Sequence, residues 1–193
     1  YIIEKSKNLK INMIIGGPPC QGFSLKGKNL GIRDDRNFLF REYAYIVEKV
    51  NPEIFVIENV KNMISSGNGY FINEIKNLFK NMGYDIDYAV LNSKDFGVPQ
   101  SRERTIIIGS NKKFIDLSKI KKNKQIFTVR DAISDLAYLS SGEGKENDKY
   151  KTEAQTEYQK KMRFEYLQYH KATSHSKETI AKLEMIPEEG DKS

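Results

Sequence analysis

One cysteine, one carboxylate and two arginines stand where short apolar runs begin or give out. Cys20 follows the run 12–15 and the rigid stretch Gly16-Gly17-Pro18-Pro19; Glu58 ends the run 54–57; Arg102 and Arg104 lead into the run 105–108. A thiolate is a strong nucleophile that can split one difficult step into two easier ones through a covalent intermediate. A carboxyl group with a raised pKa can hold or deliver a proton, and a guanidinium is a fixed cation for charge that develops on oxygen. Each residue taken singly has a plainer reading. A lone cysteine can be a bystander or core filler, Glu58 a helix-capping acid, and the arginines part of a solvated turn. Three such clusters at apolar-run boundaries point to chemistry more strongly than any one does.

The elements that would position them follow from periodicity. Residues 12–15 and 54–57 are short apolar runs bounded by turn residues, as buried strands are. Between them, residues 20–37 are rich in Gly, Lys and Asn without helical or strand periodicity. A loop of that length is functional or mobile, and residues 21–36 are expected to move when nothing is bound. A helix over 38–50 is predicted from Phe40, Tyr43, Ala44, Val47 and Val50, stopped by Asn51-Pro52. A second helix over 69–82 closes at Gly83, Ile86, Tyr88 and Val90 alternate as a third strand, and 105–108 is a fourth, ending at Gly109. This order predicts an α/β fold with a doubly wound parallel sheet, in which ligands sit beyond the carboxyl ends of the strands. If the first two strands are neighbours, about 4.8 Å apart, a thiol and a carboxylate can converge on one small substrate. No helix separates the third and fourth strands, so one antiparallel pair is expected at an edge. Beyond residue 110, a basic turn at 119–124, a helix over 128–139 capped by Thr128, a polar linker at 140–151 and helices over 152–169 and 176–185 are predicted. The division expected is 1–115 for the catalytic portion and 116–193 for a helical extension.

With 38% hydrophobic and 30% charged residues among 193, the chain reads as soluble and globular. No apolar run approaches the roughly 20 residues that span a bilayer, and no leader pattern opens the sequence, so a cytoplasmic protein is expected. The net charge of +6 fits a polyanionic partner or simply a lysine-rich solvated surface. One cysteine excludes an internal disulfide and a thiolate zinc cluster. His170 and His175 lie at a separation that suits no zinc helix; a structural role is expected for them, and no metal site.

Ordered along the chain, the motifs resemble those of the DNA cytosine-5 methyltransferases. The stretch from Gly16 through Pro19, Cys20, Gln21, Gly22 and Phe23 to Ser24 is similar to that family's nucleophile motif. Glu58-Asn59-Val60 is similar to its Glu-Asn-Val motif, and Gln100-Ser101-Arg102-Glu103-Arg104 to its Gln-x-Arg-x-Arg motif. Asp35-Arg36-Asn37, Leu91-Asn92 and Gly97-Val98-Pro99 fit the segments between, with a weaker echo at His170, His175 and Ile186-Pro187. The resemblance implies a Rossmann-like sheet of the class I methyltransferase type and methyl transfer from S-adenosylmethionine to C5 of cytosine in double-stranded DNA. Cys20 would attack C6, and Glu58 would bind N3 and the exocyclic amine. Arg104 would contact O2, with Arg102 in support. Pro19 and Leu39 would touch the methyl donor. Gln21, Ser24 and the loop with Lys26, Lys28, Arg33 and Arg36 would close on the DNA around a flipped-out base.

Two features of the family's pattern are not found in the sequence: the glycine-rich donor-binding start with its acidic ribose partner, and the base-reading region. The fold is therefore expected to be incomplete in its donor-binding half and inactive alone. Exposed strand edges would favour a complementing chain or self-association. A tRNA cytosine-5 methyltransferase and a non-catalytic nucleic-acid-binding remnant are the alternatives.

Overall fold

The computed structural model describes residues 2–6, 8–19 and 39–186. They fall into two compact units, Tyr1–Ile126 and Phe127–Ser193. In the first unit a short helix α1 (Ile2–Ser6) precedes strand β1 (Met13–Gly16); then follow α2 (Phe40–Val50), β2 (Ile54–Val60), α3 (Tyr70–Asn81), β3 (Asp85–Asn92) and β4 (Glu103–Ser110).

Helix α2 forms because Phe40, Tyr43, Ala44 and Val47 recur on one stripe, and that stripe is buried. It stops where Asn51 turns left-handed (φ 51) and returns its N–H to the Val47 carbonyl, with Pro52 barring any continuation. Helix α3 buries Phe71, Ile72, Ile75 and Phe79 in the same way. Both helices pack on the sheet face that carries Phe55, Ile57 and Ile107. There the Phe55 and Phe79 rings stack with centroids 4.0 Å apart. Burial of an aromatic of this size contributes about 1.5–3 kcal/mol, so this seam is the main adhesive between helices and sheet.

The strand order is β1-β2-β4-β3. Strands β1 and β2 are parallel, while β4 runs against both β2 and β3. The antiparallel edge pair that the sequence suggests is β3 with β4; the reversed strand β4 also runs against β2, which makes it an inner strand. The reason is local. The connection 93–102 is too short for the crossover that a parallel neighbour requires, so the chain must turn back. Its Ile106-Ile107-Ile108 run is apolar on both faces, as an inner strand needs.

The second unit holds α4 (Val129–Ile133), β5 (Gly144–Asp148), α5 (Glu157–Met162), β6 (Leu167–Lys171) and α6 (Lys177–Glu184). It differs from the helical extension expected. Helix α4 is capped by Thr128 as predicted but ends by Ser134; the linker expected at 140–151 contains β5, and the helix expected over 152–169 breaks into α5 and β6. β5 and β6 form an antiparallel ribbon, with Lys145 opposite His170. Behind the change lies Asp135, 4% exposed. Its carboxylate takes two bonds from Arg163 (2.9 and 2.6 Å), whose guanidinium also reaches the Thr152 carbonyl and lies over the Tyr150 ring at 4.3 Å. A buried carboxylate held by a forked cation fixes the chain at Arg163, which leaves α5 there and turns toward β6.

Candidate active site

Gly16 at the end of β1 lies opposite Ile57 of β2, so Gly17 stands beside Glu58. The approach is close: a Cβ on Gly17 would sit 3.4 Å from Glu58 Oε2. That is ordinary van der Waals contact, so the carboxylate lies directly against the backbone that leads to Cys20.

Arg104 comes from β4. It pairs with Val60 while Glu58 pairs with Ile106, which puts Glu58 and Arg104 on the same sheet face as diagonal neighbours. Arg104 Nε meets Glu58 Oε1 at 2.8 Å, and a terminal nitrogen of Arg104 donates to the Glu103 carbonyl at 2.8 Å. The two side chains are 26% and 45% exposed, so solvent screens the pair and its net contribution to stability is about 0–1 kcal/mol. What it supplies is orientation: a carboxylate and a planar cation, both accessible, held at a fixed separation.

The opposite face of β2 is buried, and there Asn59 follows Phe55 and Ile57 inward. Its side-chain amide donates to the Pro18 carbonyl at 2.9 Å, and its carbonyl oxygen accepts from the Val60 N–H at 2.9 Å. Thr105, fully buried on β4, donates to the carbonyls of Val60 and Lys61. From α2, the Tyr43 hydroxyl lies 3.0 Å from the carbonyl oxygens of both Ile14 and Val56. Burial pushes the Tyr43 hydroxyl pKa well up, so it stays protonated and remains a donor. Sequence alone assigns no role to Asn59, Thr105 or the Tyr43 hydroxyl. A signal existed for Asn59: an amide in phase with Phe55 and Ile57 must find partners inside the protein.

Arg102 sits just before β4, exposed. Its main chain is fixed by Asn92, whose side-chain oxygen accepts from the Arg102 and Lys94 N–H groups, and by the Ser93 N–H. Pro18 is buried and Pro19 exposed. Leu39, 36% exposed, immediately precedes α2. Cys20, Gln21, Ser24, Lys26, Lys28, Arg33 and Arg36 lie outside the described residues, as does the loop 21–36 expected to move. The structure therefore brings together Glu58, Arg104 and the backbone at Gly17, with Arg102 two residues from Arg104. Among the described residues no cluster of His, Cys, Asp or Glu could hold a metal ion, and no helix is long and apolar enough to cross a membrane.

The profile of the C-5 cytosine-specific DNA methylases matches residues 2–192. Type II methyltransferase M.BsuRI of Bacillus subtilis is 43% identical over 154 residues, covering 70% of this chain and 34% of that protein. Type II methyltransferase M1.HphI of Haemophilus parahaemolyticus is 32% identical over 193 residues, 99% of this chain and 46% of that protein. Among solved structures, a prophage-encoded E. coli protein described as a DNA modification methyltransferase superposes with a TM-score of 0.65 at 27% identity, over 94% of this chain and 51% of its own. The chain thus spans about a third to a half of the length of these relatives.

Proposed function

The chain belongs to the C-5 cytosine-specific DNA methylase family, and from that premise we propose that it carries the catalytic centre for methyl transfer from S-adenosylmethionine to C5 of cytosine in double-stranded DNA. One observation supports this most: Glu58, joined to Arg104 at 2.8 Å, stands beside Gly17 on the backbone that runs into Cys20.

C5 of cytosine is a poor nucleophile. The Cys20 thiolate adds to C6, forming a C–S bond, and the ring electrons displaced by that addition make C5 electron-rich. Glu58 holds the proton at N3 and the exocyclic amine, so the ring can accept the added electron pair. Arg104 faces the charge at O2, and Arg102 supports it from the same turn. S-adenosylmethionine supplies an electrophilic methyl group, and the exposed apolar surfaces of Pro19 and Leu39, at either end of residues 20–38, fit a role in holding it. Loss of the C5 proton and return of the C–S electrons to sulfur then release the product and the thiolate. Because C6 is sandwiched in stacked duplex, the base must be flipped out; Gln21, Ser24, Lys26, Lys28, Arg33 and Arg36 would close on the DNA and its phosphates. Met13 and Ile15 on β1 are 47% and 70% exposed, which supports a further segment or partner chain covering that strand.

The test is to incubate the protein, as its gene encodes it, with tritiated S-adenosylmethionine and unmethylated DNA, then to digest the DNA to nucleosides. Radioactivity in 5-methylcytosine, absent for Cys20→Ser, is expected. Label in another base, or an undiminished signal from Cys20→Ser, would overturn the assignment.

A further inference from the structure

We propose that Tyr43 and Asn59 are positioning residues that clamp the base of the segment carrying Cys20 from two sides, and so set where its thiol can reach. The inference rests on the reading of Cys20 as nucleophile.

Tyr43 ties together the described residues on either side of 20–38. Its N–H donates to the carbonyl of Leu39, the first described residue after that segment. Its hydroxyl bonds the carbonyls of Ile14 on β1 and Val56 on β2, each at 3.0 Å. Its ring fills the space that a side chain at residue 16 would need, since a Cβ on Gly16 would meet Tyr43 Cε2 at 2.5 Å and Cδ2 at 2.8 Å. The ring is itself fixed edge-on against Phe55 and Phe79, with centroids 6.2 and 6.4 Å away. Helix α2 therefore cannot slide along β1 without breaking these bonds or driving the ring into residue 16.

Asn59 grips the other end. Its buried amide donates to the Pro18 carbonyl at 2.9 Å, two residues before Cys20. Asn59 follows Glu58, and its side chain enters the sheet face opposite to the one where Glu58 meets Arg104. One stretch of β2 thus fixes both the carboxylate and the approach to the thiol. Pro18 and Pro19 each fix a backbone φ angle, so the carbonyl that Asn59 holds belongs to a stiff stretch of chain.

Asn59→Asp keeps the acceptor for Val60 N–H but replaces the amide donor with oxygen facing the Pro18 carbonyl; Tyr43→Phe removes only the hydroxyl. Both are measured in the protein as its gene encodes it. Readouts are single-turnover methyl transfer to unmethylated DNA, separate affinities for DNA and donor, and iodoacetamide labelling of Cys20 across pH by peptide mapping. Because catalysis of this kind depends on placement to within about an ångström, transfer should fall about 10- to 100-fold while both affinities stay within about twofold. The rate or pH profile of Cys20 labelling should change alongside. Unchanged transfer, or a loss matched by equal losses in both affinities, would overturn the clamp while leaving the nucleophile assignment intact. If the parent protein transfers no methyl group, that assignment fails and labelling alone decides: profiles superimposable with the parent's overturn the clamp, and a shifted profile supports it. Should Asn59→Asp fail to fold, Tyr43→Phe carries the same comparison, with a loss of about tenfold expected.

Discussion

With 45% and 26% of their side chains exposed, Glu58 and Arg104 attract each other through water-screened contact, so fold and chemistry should part company under mutation. Arg104→Ala is expected to cost less than about 1 kcal/mol in thermal denaturation, because the pair is solvated. It should nevertheless cut methyl transfer by about 100-fold or more, the usual loss when a donor facing developing charge is removed. Glu58→Gln should behave alike, with little change in melting and a loss of about 100-fold or more in transfer, since an amide cannot hold the proton at N3. Initial rates and melting curves on the same preparations check both; a loss of activity that tracks a loss of stability would contradict the roles assigned. That Glu58 and Arg104 belong to one cluster was legible in the sequence, because a carboxylate and a guanidinium at apolar-run boundaries stand out by type and position. The residues that hold them were not. Tyr43 reads as one apolar position on a helix face, and only the register of α2 against β1 shows that its hydroxyl meets two strand carbonyls.

Among the elements, the seam between helices and sheet should dominate stability in the first unit. Phe55→Ala empties the space between the Phe79 and Tyr84 rings, whose centroids lie 4.0 and 5.2 Å from that of Phe55. It should cost about 3–5 kcal/mol by denaturant titration. In the second unit Thr156 caps α5: its hydroxyl accepts from the Gln159 N–H at 3.1 Å and donates to the Asp131 carbonyl at 2.7 Å. Thr156→Ala is expected to cost about 1 kcal/mol by the same measurement. The capping box on α4 should also leave a pH signature. Bonds from the Thr128 N–H and hydroxyl hold the Asp131 carboxyl below the usual carboxylate range. Its contribution is complete above the ordinary carboxylate pKa and is lost as pH falls through the lowered value. Thr128→Ala should reduce that acid-side dependence. Helices α2 and α3 were legible because Phe40, Tyr43, Ala44 and Val47, or Phe71, Ile75 and Phe79, repeat with the helical period. Strand β5 was not, because Gly-Lys-Glu-Asn-Asp has neither alternation nor apolar residues and is exposed over most of its length. Its strand character comes from pairing with β6, a long-range fact that no local pattern carries.

For the whole molecule, the net charge of +6 and the proposed DNA partner lead to a further expectation. Affinity for duplex DNA should fall steeply with salt, and Lys26→Ala or Lys28→Ala should flatten the slope of log affinity against log salt by about 1 if the residue contacts a phosphate. Fluorescence titration at several salt concentrations reads that slope, and an unchanged slope removes the residue from the interface. The central claim is that Cys20 attacks C6 of cytosine, and one experiment meets it directly. A duplex carrying 5-fluorocytosine in place of cytosine is incubated with S-adenosylmethionine and the protein as its gene encodes it. After methyl transfer C5 bears fluorine and methyl but no proton, so the bond between sulfur and C6 cannot be released. The account predicts a protein–DNA complex that survives denaturation, maps to the Cys20 peptide and is absent for Cys20→Ser. Methyl transfer to ordinary DNA without any such complex on the fluorinated duplex, or a complex formed equally well by Cys20→Ser, would contradict it.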